Sequence, residues 1–245
     1  MSNPINCSAA EWQQRVNLAA AFQLCHFYGF SDLIWTHLSA RVPDEEGLFL
    51  LNPSAYMFDE ITASNLVKVD IDGNAVNGGH VNPAAFTIHS AVYRADNAHN
   101  CAIHLHARAG CAVATLKEGL LPVNQFYFDI GKVAYHDYEG FALDHSERER
   151  LVRDLGDCKA MILRNHGTFS VGNTVADAFT SIYYLEKTCE VQIDAMAMGR
   201  ELVLPSQEIC EKAESQISRF GDSEKTTWPA LLRLLERNGI GKHLE

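Results

Sequence analysis

The run Cys101-Ala102-Ile103-His104-Leu105-His106 constrains this chain more than any other stretch. Cys, Ala, Ile and Leu at this spacing predict a short buried strand. Side chains alternate on a strand, so His104 and His106 share one face. Two imidazoles on one rigid face can reach a single ion, at roughly 2.0–2.1 Å per nitrogen for zinc. The candidate for a third ligand is His166, which follows a second apolar run, Met161-Ile162-Leu163, and precedes the turn residue Gly167. Taken alone, the pair reads more readily as two histidines with ordinary hydrogen bonds, in the core or at the surface, than as a metal pair.

Bulk properties narrow the setting. A chain of 245 residues buries a substantial core without disulfide or metal staples. A formal charge of −11 argues against nucleic acid or an anionic membrane as the main partner. The 7 cysteines are scattered, odd in number and contain no Cys-x-x-Cys pair, which fits buried thiols in a reducing compartment. The first residues lack a signal-peptide pattern, and no run approaches the ~20 apolar residues of a membrane span. The expected location is the cytoplasm.

Taken in order, the chain alternates helices and strands. Ser8 at N-cap and Glu11 at N3 form a capping box for a first helix that stops at Gly29. Leu33 to Arg41 is rich in strand formers, Leu48–Leu51 reads as a buried strand, and Val67–Asp72 alternates into an Asp72-Gly73 turn. Asn82-Pro83 opens the next helix in the preferred order. After the His-x-His strand come a short helix from Ala107 ended by Gly119 and a strand at Lys132–Tyr135. Asp144 to Glu147 caps a helix ending near Gly156. A long amphipathic helix spans about Thr174 to Met198. Gly199 to Thr227 reads as polar and loop-like, and Trp228 to Asn238 as a last helix. This order predicts one α/β/α layered domain. No Gly-x-Gly-x-x-Gly follows a strand, against a dinucleotide fold.

From Tyr28-Gly29 to about Met198 the sequence resembles the class II aldolase and adducin family. The pieces that carry the resemblance are Ile103-His104-Leu105-His106, Leu163-Arg164-Asn165-His166-Gly167 and Ile61-Thr62-Ala63-Ser64-Asn65-Leu66-Val67. Gly119-Leu120-Leu121-Pro122, Val133 to Tyr138 and Phe86 to Ala91 resemble its adducin-like branch. The resemblance implies a single-domain three-layer α/β/α class II aldolase-like fold around a central mixed or antiparallel sheet. The whole chain, 1–245, then forms one domain, with a core at about 8–199 and a C-terminal extension at 200–245.

Carried over residue by residue, the family's metal ligands fall on His104, His106 and His166. Zn2+ is the expected ion, with Fe2+ or Mn2+ as alternatives. Three imidazoles leave a coordination position open, as catalytic sites do. The ion would polarise a substrate carbonyl and stabilise the charge that develops as a C–C bond breaks. Family aldolases place an acid/base glutamate where this sequence has Ala85, whose methyl group moves no proton. Their phosphate-binding pieces correspond here to Thr36-His37, Ser54-Ala55 and Pro83-Ala84. Thr36, Ser39 and Ser54 still offer hydroxyls to a substrate, whereas Pro83 lacks an N–H.

The resemblance therefore implies a metal-dependent lyase for a non-phosphorylated keto or hydroxy acid, acting by C–C cleavage or decarboxylation. His37 and His80 are candidate replacements for the acid/base, since histidine titrates near working pH; each also reads as a surface or hydrogen-bonded histidine. Tyr127 stands beside the position from which a family tyrosine reaches a neighbouring subunit's site, and otherwise reads as aromatic packing. Arg164 and Asn165 would orient the ligand-bearing turn. His89, on an apolar helix face, reads as a core histidine. Two alternatives stand beside the lyase: an iron-dependent oxygenase using the same three histidines, and a non-catalytic, adducin-like oligomerising module. The expected partners are a small-molecule substrate and further copies of the chain in a homotetramer.

Overall fold

A computed structural model describes residues 5–95, 99–141, 146–217 and 222–245. Among these residues, seven strands form one sheet in the order β3-β2-β1-β4-β7-β6-β5. The strands are β1 (His37–Arg41), β2 (Leu48–Leu51), β3 (Val67–Asp70), β4 (Cys101–Leu105), β5 (Val133–His136), β6 (Ala160–Leu163) and β7 (Gly167–Gly172). Only β5 and β6 run parallel; the other pairs are antiparallel, so the sheet is mixed. The His-x-His strand β4 lies at its centre between β1 and β7, where both edges are hydrogen-bonded.

Strand alternation sorts the core into two halves. Leu38, Ala40, Leu50, Cys101, Ile103, Leu105 and Ile162 face one side. There they meet α1 (Ala9–Phe27), α6 (Val175–Ala197) and α8 (Thr227–Arg237), with α3 (Arg108–Val113) packed on α6. Phe49, Leu51, Ala102, Met161, Leu163 and Phe169 face the other side, with α2 (Pro83–Ala95) and α5 (Glu147–Leu155). This is a single-domain α/β/α sandwich, as expected. The C-terminal region belongs to the same core: Trp228 and Leu235 of α8 are 5% and 0% exposed. Cys25, Cys101 and Cys189 are buried apolar fillers, and burial pushes their thiols up.

Helix starts follow the caps in the sequence. Ser8 Oγ accepts from Glu11 N at 3.1 Å, Asn82 Oδ1 from Ala84 N at 2.9 Å, and Thr174 Oγ1 from Asp177 N at 3.1 Å. The Glu11 carboxylate has another role than the expected capping box. It is 1% exposed and pairs with the equally buried Arg15 at 2.9 Å and with Lys68 at 2.7 Å. Arg15 then donates to the carbonyls of Ala63 and Leu66, so α1 is clamped to the segment ahead of β3.

Other expectations are corrected. The strand anticipated over Leu33–Arg41 begins only at His37, because Leu33 and Thr36 adopt φ of 48° and 68° and turn the chain. β3 stops at Asp70, whose carboxylate caps the following turn through the amides of Asp72 and Asn74. The polar stretch after Gly199 contains α7 (Gln207–Ile217), and α4 (Phe126–Ile130) and β7 were not anticipated. The cap expected at Asp144 lies outside the described residues; α5 itself runs Glu147–Leu155.

Candidate metal centre

His104 sits on the central strand and faces the α2 and α5 side with Ala102. His106 lies one residue beyond the strand end, half-buried. Leu163 to His166 form a tight turn between β6 and β7, in which His166 N donates to Leu163 O at 3.1 Å. Asn165 takes φ of 56°, the left-handed region that asparagine tolerates. The residue after His166 has to be glycine. A Cβ on Gly167 would stand 2.3 Å from Leu105 O and 3.1 Å from His106 Cδ2. Close approach of β4 and β7 is therefore what delivers the third histidine to the first two.

The three rings converge. Their centroids are separated by 4.7 Å (His104 to His106), 4.7 Å (His104 to His166) and 4.9 Å (His106 to His166). One ring nitrogen from each lies within 4.8 Å of the others. His104 Nδ1 is 3.0 Å from Thr168 O, an acceptor only, so it carries the proton and leaves Nε2 bare. His106 Nδ1 is 3.0 Å from Asp32 Oδ2, which imposes the same tautomer. The two Nε2 atoms then face each other at 3.0 Å as two acceptors, an arrangement that a shared cation satisfies.

Electrostatics agree with that donor set. Burial, followed by the neighbouring His166, His37 and His106, holds His104 well below the ordinary histidine range. Burial and the nearby His106 and His136 bring His166 down to about 4. Neutral imidazole is the form that ligates a metal. The residues fit a divalent ion, which His104, His106 and His166 would hold.

The other expected site residues are placed unequally. His37 pairs with His104 across β1 and β4, its ring 4.9 Å from that of His104. Thr36, just before it, is buried with φ of 68°, and its hydroxyl has no hydrogen-bond partner among the described residues. Ser39 is 0% exposed, its hydroxyl taken by His89 and Tyr93. Ser54 and His80 are exposed neighbours, Ser54 N donating to His80 O at 2.7 Å. Among the described residues, neither has a hydrogen bond or ring contact to the histidine cluster. Tyr127 packs with the α6 side of the core, on the other face of the sheet from His104. Ala85 is 1% exposed among the apolar residues around α2. Arg164 donates to Leu116 O at 2.5 Å and lies over the Tyr135 ring, anchoring the turn ahead of His166.

Two contributors, Asp32 and Glu186, were not legible as site residues. Asp32 orients His106, although the turn that carries it looked like strand. Tyr138, 51% exposed, sets its ring 6.3 Å from that of His166. Glu186 of α6 is 0% exposed and accepts from Thr168 Oγ1 at 2.6 Å and Gly110 N at 2.9 Å, bracing the strand behind His104. Burial pushes its carboxyl up to about 7. Its one legible signal was a lone acid on the apolar stripe of a long helix.

Comparison with known proteins agrees with this geometry. Residues 16–193 match the family model described as the class II aldolase and adducin N-terminal domain. A Caulobacter vibrioides protein named for class 2 aldolases is 46% identical over 239 residues, covering 96% of this chain and 93% of that one. Alpha-adducin of Rattus norvegicus is 41% identical over 201 residues, which cover 80% of this chain but 27% of the adducin. The crystal structure of an aldolase II superfamily protein from Pseudomonas syringae superposes with a TM-score of 0.93 at 46% identity, covering 98% of each chain. The L-fuculose 1-phosphate aldolase of Glaciozyma antarctica gives 0.81 at 25% identity over 96% of each. A histidine triad at the meeting of two central strands and a family match over most of the chain lead to one conclusion: this protein belongs to the class II aldolase and adducin family.

Proposed function

We propose that this chain is a divalent-metal-dependent lyase that cleaves a C–C bond in, or decarboxylates, a non-phosphorylated keto or hydroxy acid. The observation that carries the reading is the convergence of three imidazoles, two of them with Nε2 atoms 3.0 Å apart. Zn2+ suits this donor set, and Fe2+ or Mn2+ are the other candidates. When bound, the ion supplies polarisation of a substrate carbonyl and stabilisation of negative charge on its oxygen.

The chain's own residues support the choice of substrate class. Pro83 offers no amide hydrogen, Ala84 and Ala85 offer no hydroxyl, and the Ser39 hydroxyl is committed inside the core. A phosphate would find few of the donors it needs. Decarboxylation demands little of a general base, because the departing CO2 leaves its electron pair on the substrate, and Ala85 supplies no base. His37 is the histidine standing next to the ligand cluster. The reading includes a homotetramer working in the cytoplasm, with Tyr127 available to a neighbouring subunit. A monomeric mass in solution would defeat that part.

The test begins with metal content per chain, measured by plasma mass spectrometry on untagged protein. A screen of keto and hydroxy acids for turnover follows. Near-stoichiometric metal is expected, and His106→Ala should lose both metal and turnover. Turnover retained in metal-free His106→Ala protein defeats the reading. The 41% identity to alpha-adducin favours a second reading, an oligomerising module without turnover. Protein that neither holds nor recovers metal would select it.

A further inference from the structure

Behind the histidine cluster lies a buried chain of four polar side chains. His37 Nδ1 is 2.7 Å from His89 Nε2, His89 Nδ1 is 2.5 Å from Ser39 Oγ, and Ser39 Oγ is 2.7 Å from Tyr93 OH. All four are at most 4% exposed. They come from β1 and α2, so the chain ties the α2 layer to the strand beside β4.

Two proton arrangements are self-consistent along such a chain. In the first, Tyr93 donates to Ser39, Ser39 to His89 Nδ1, and His89 Nε2–H to His37 Nδ1, which leaves the proton of neutral His37 on Nε2. In the second, every bond is reversed, and the phenol hydrogen of Tyr93 must find another acceptor. Among the described residues Ser39 is the only hydrogen-bond acceptor for that phenol. The Ala102 amide, which also faces the oxygen, is a donor. A reversed chain strands a buried O–H, and buried polar groups are rarely left so. The first polarity is the one the surroundings select.

Proton transfer along the whole chain is a different matter. It would end in a tyrosinate, and burial pushes the Tyr93 phenol well above its ordinary value. The chain therefore fixes a tautomer instead of conducting protons.

We propose that Tyr93, Ser39 and His89 are positioning residues that lock His37 as a neutral Nε2–H donor. This donor receives a carboxylate or carbonyl oxygen of a small acid held at the His104, His106 and His166 cluster. The ligand half of this inference rests on the metal-site reading; the tautomer half does not. Recognition would then favour an acid with a second oxygen beside the one at the cluster, as in a 2-keto or 2-hydroxy acid.

The test starts from the metal-free wild-type protein labelled with 15N-histidine. Long-range nitrogen–proton NMR correlations distinguish the ring tautomers directly. Both His37 and His89 are expected as Nε2–H tautomers, and an Nδ1–H tautomer at either overturns the proposal. Ser39→Ala should mix the two tautomers at His89 and His37; an unchanged pure Nε2–H state there would overturn the lock. Calorimetric binding of oxalate to the zinc-loaded protein tests the donor. His37→Leu is expected to weaken it about ten- to a hundredfold, and His37→Gln, which keeps an N–H, to recover most of that loss. Equal affinity of His37→Leu and wild type overturns the donor role. Failure to load zinc, iron or manganese would defeat the lyase reading and leave the tautomer result standing.

Discussion

The Nε2 atoms of His104 and His106 face each other at 3.0 Å. That standoff is built by two acceptors on the far sides of the rings, Thr168 O and the Asp32 carboxylate. One of them can be removed without touching the backbone. Asp32→Asn should weaken zinc about 10- to 100-fold, the usual effect of losing an orienting partner. Competition with a colorimetric chelator measures it, and unchanged affinity would show that Asp32 does not set the His106 ring.

Gly167 is the tightest point in the site. A Cβ there meets the Leu105 carbonyl oxygen at 2.3 Å, and backbone cannot swing aside. Gly167→Ala should cost about 1–3 kcal/mol, as overpacking does, and should lower metal affinity by separating His166 from His106. Urea unfolding combined with a zinc titration reads both. A variant with full stability would mean that the strands part at no cost.

Acid should weaken the contribution that His89 makes to the stability of the metal-free protein. Burial brings His89 down to about 3, far below the value of about 6.5 for an unfolded chain. Between those values the unfolded state binds more protons, so the stabilisation is complete above about pH 6.5 and falls as pH drops toward 3. Moving from pH 7.5 to pH 5 should remove about 2 kcal/mol on account of His89. Glu186, pushed up to about 7, works in the opposite direction, favouring the fold at the acid end of its range. The difference between wild type and His89→Gln isolates the histidine. Parallel stability curves for the two proteins across this range would refute the assignment.

The buried Glu11–Arg15 pair predicts a large loss from a single change. Arg15→Met leaves the Glu11 carboxylate with Lys68 alone and unbinds the Ala63 and Leu66 carbonyls. Breaking such a pair costs about 3–5 kcal/mol. Chemical denaturation should show it. A loss below 1 kcal/mol would mean that water enters and replaces the guanidinium.

What could be read beforehand followed from local chemistry. Ser8 and Asn82 announced helix starts because a cap needs only its own side chain and the next amides. The period-two pattern placed His104 on one face, and the apolar face of α2 marked His89 as a core residue. Failures came where tertiary contacts decide. β7 carries Thr168 and Ser170 in its buried interior, where Glu186 and the Ala178 carbonyl satisfy their hydroxyls, so it does not look like a core strand. The turn at Asp32 is hidden by Leu33, Ile34 and Trp35, which read as strand but are substantially exposed. Ser39 looked available to a substrate because nothing in the sequence reveals that His89 and Tyr93 already hold it. His80 and Ser54 do meet, through a backbone hydrogen bond, but with their side chains exposed.

His104 and His106 belong to β4, whereas His166 arrives from the β6–β7 turn, far along the chain. The three are brought together only when β7 docks beside β4. An ion can therefore grip all three only after the central sheet has closed. Chelators should speed unfolding and leave the refolding rate nearly untouched; refolding slowed as much as unfolding is sped would mean that β7 docks beside β4 at the barrier itself. The ion would then act as a clasp, setting how long the native state lasts and not how quickly it is reached.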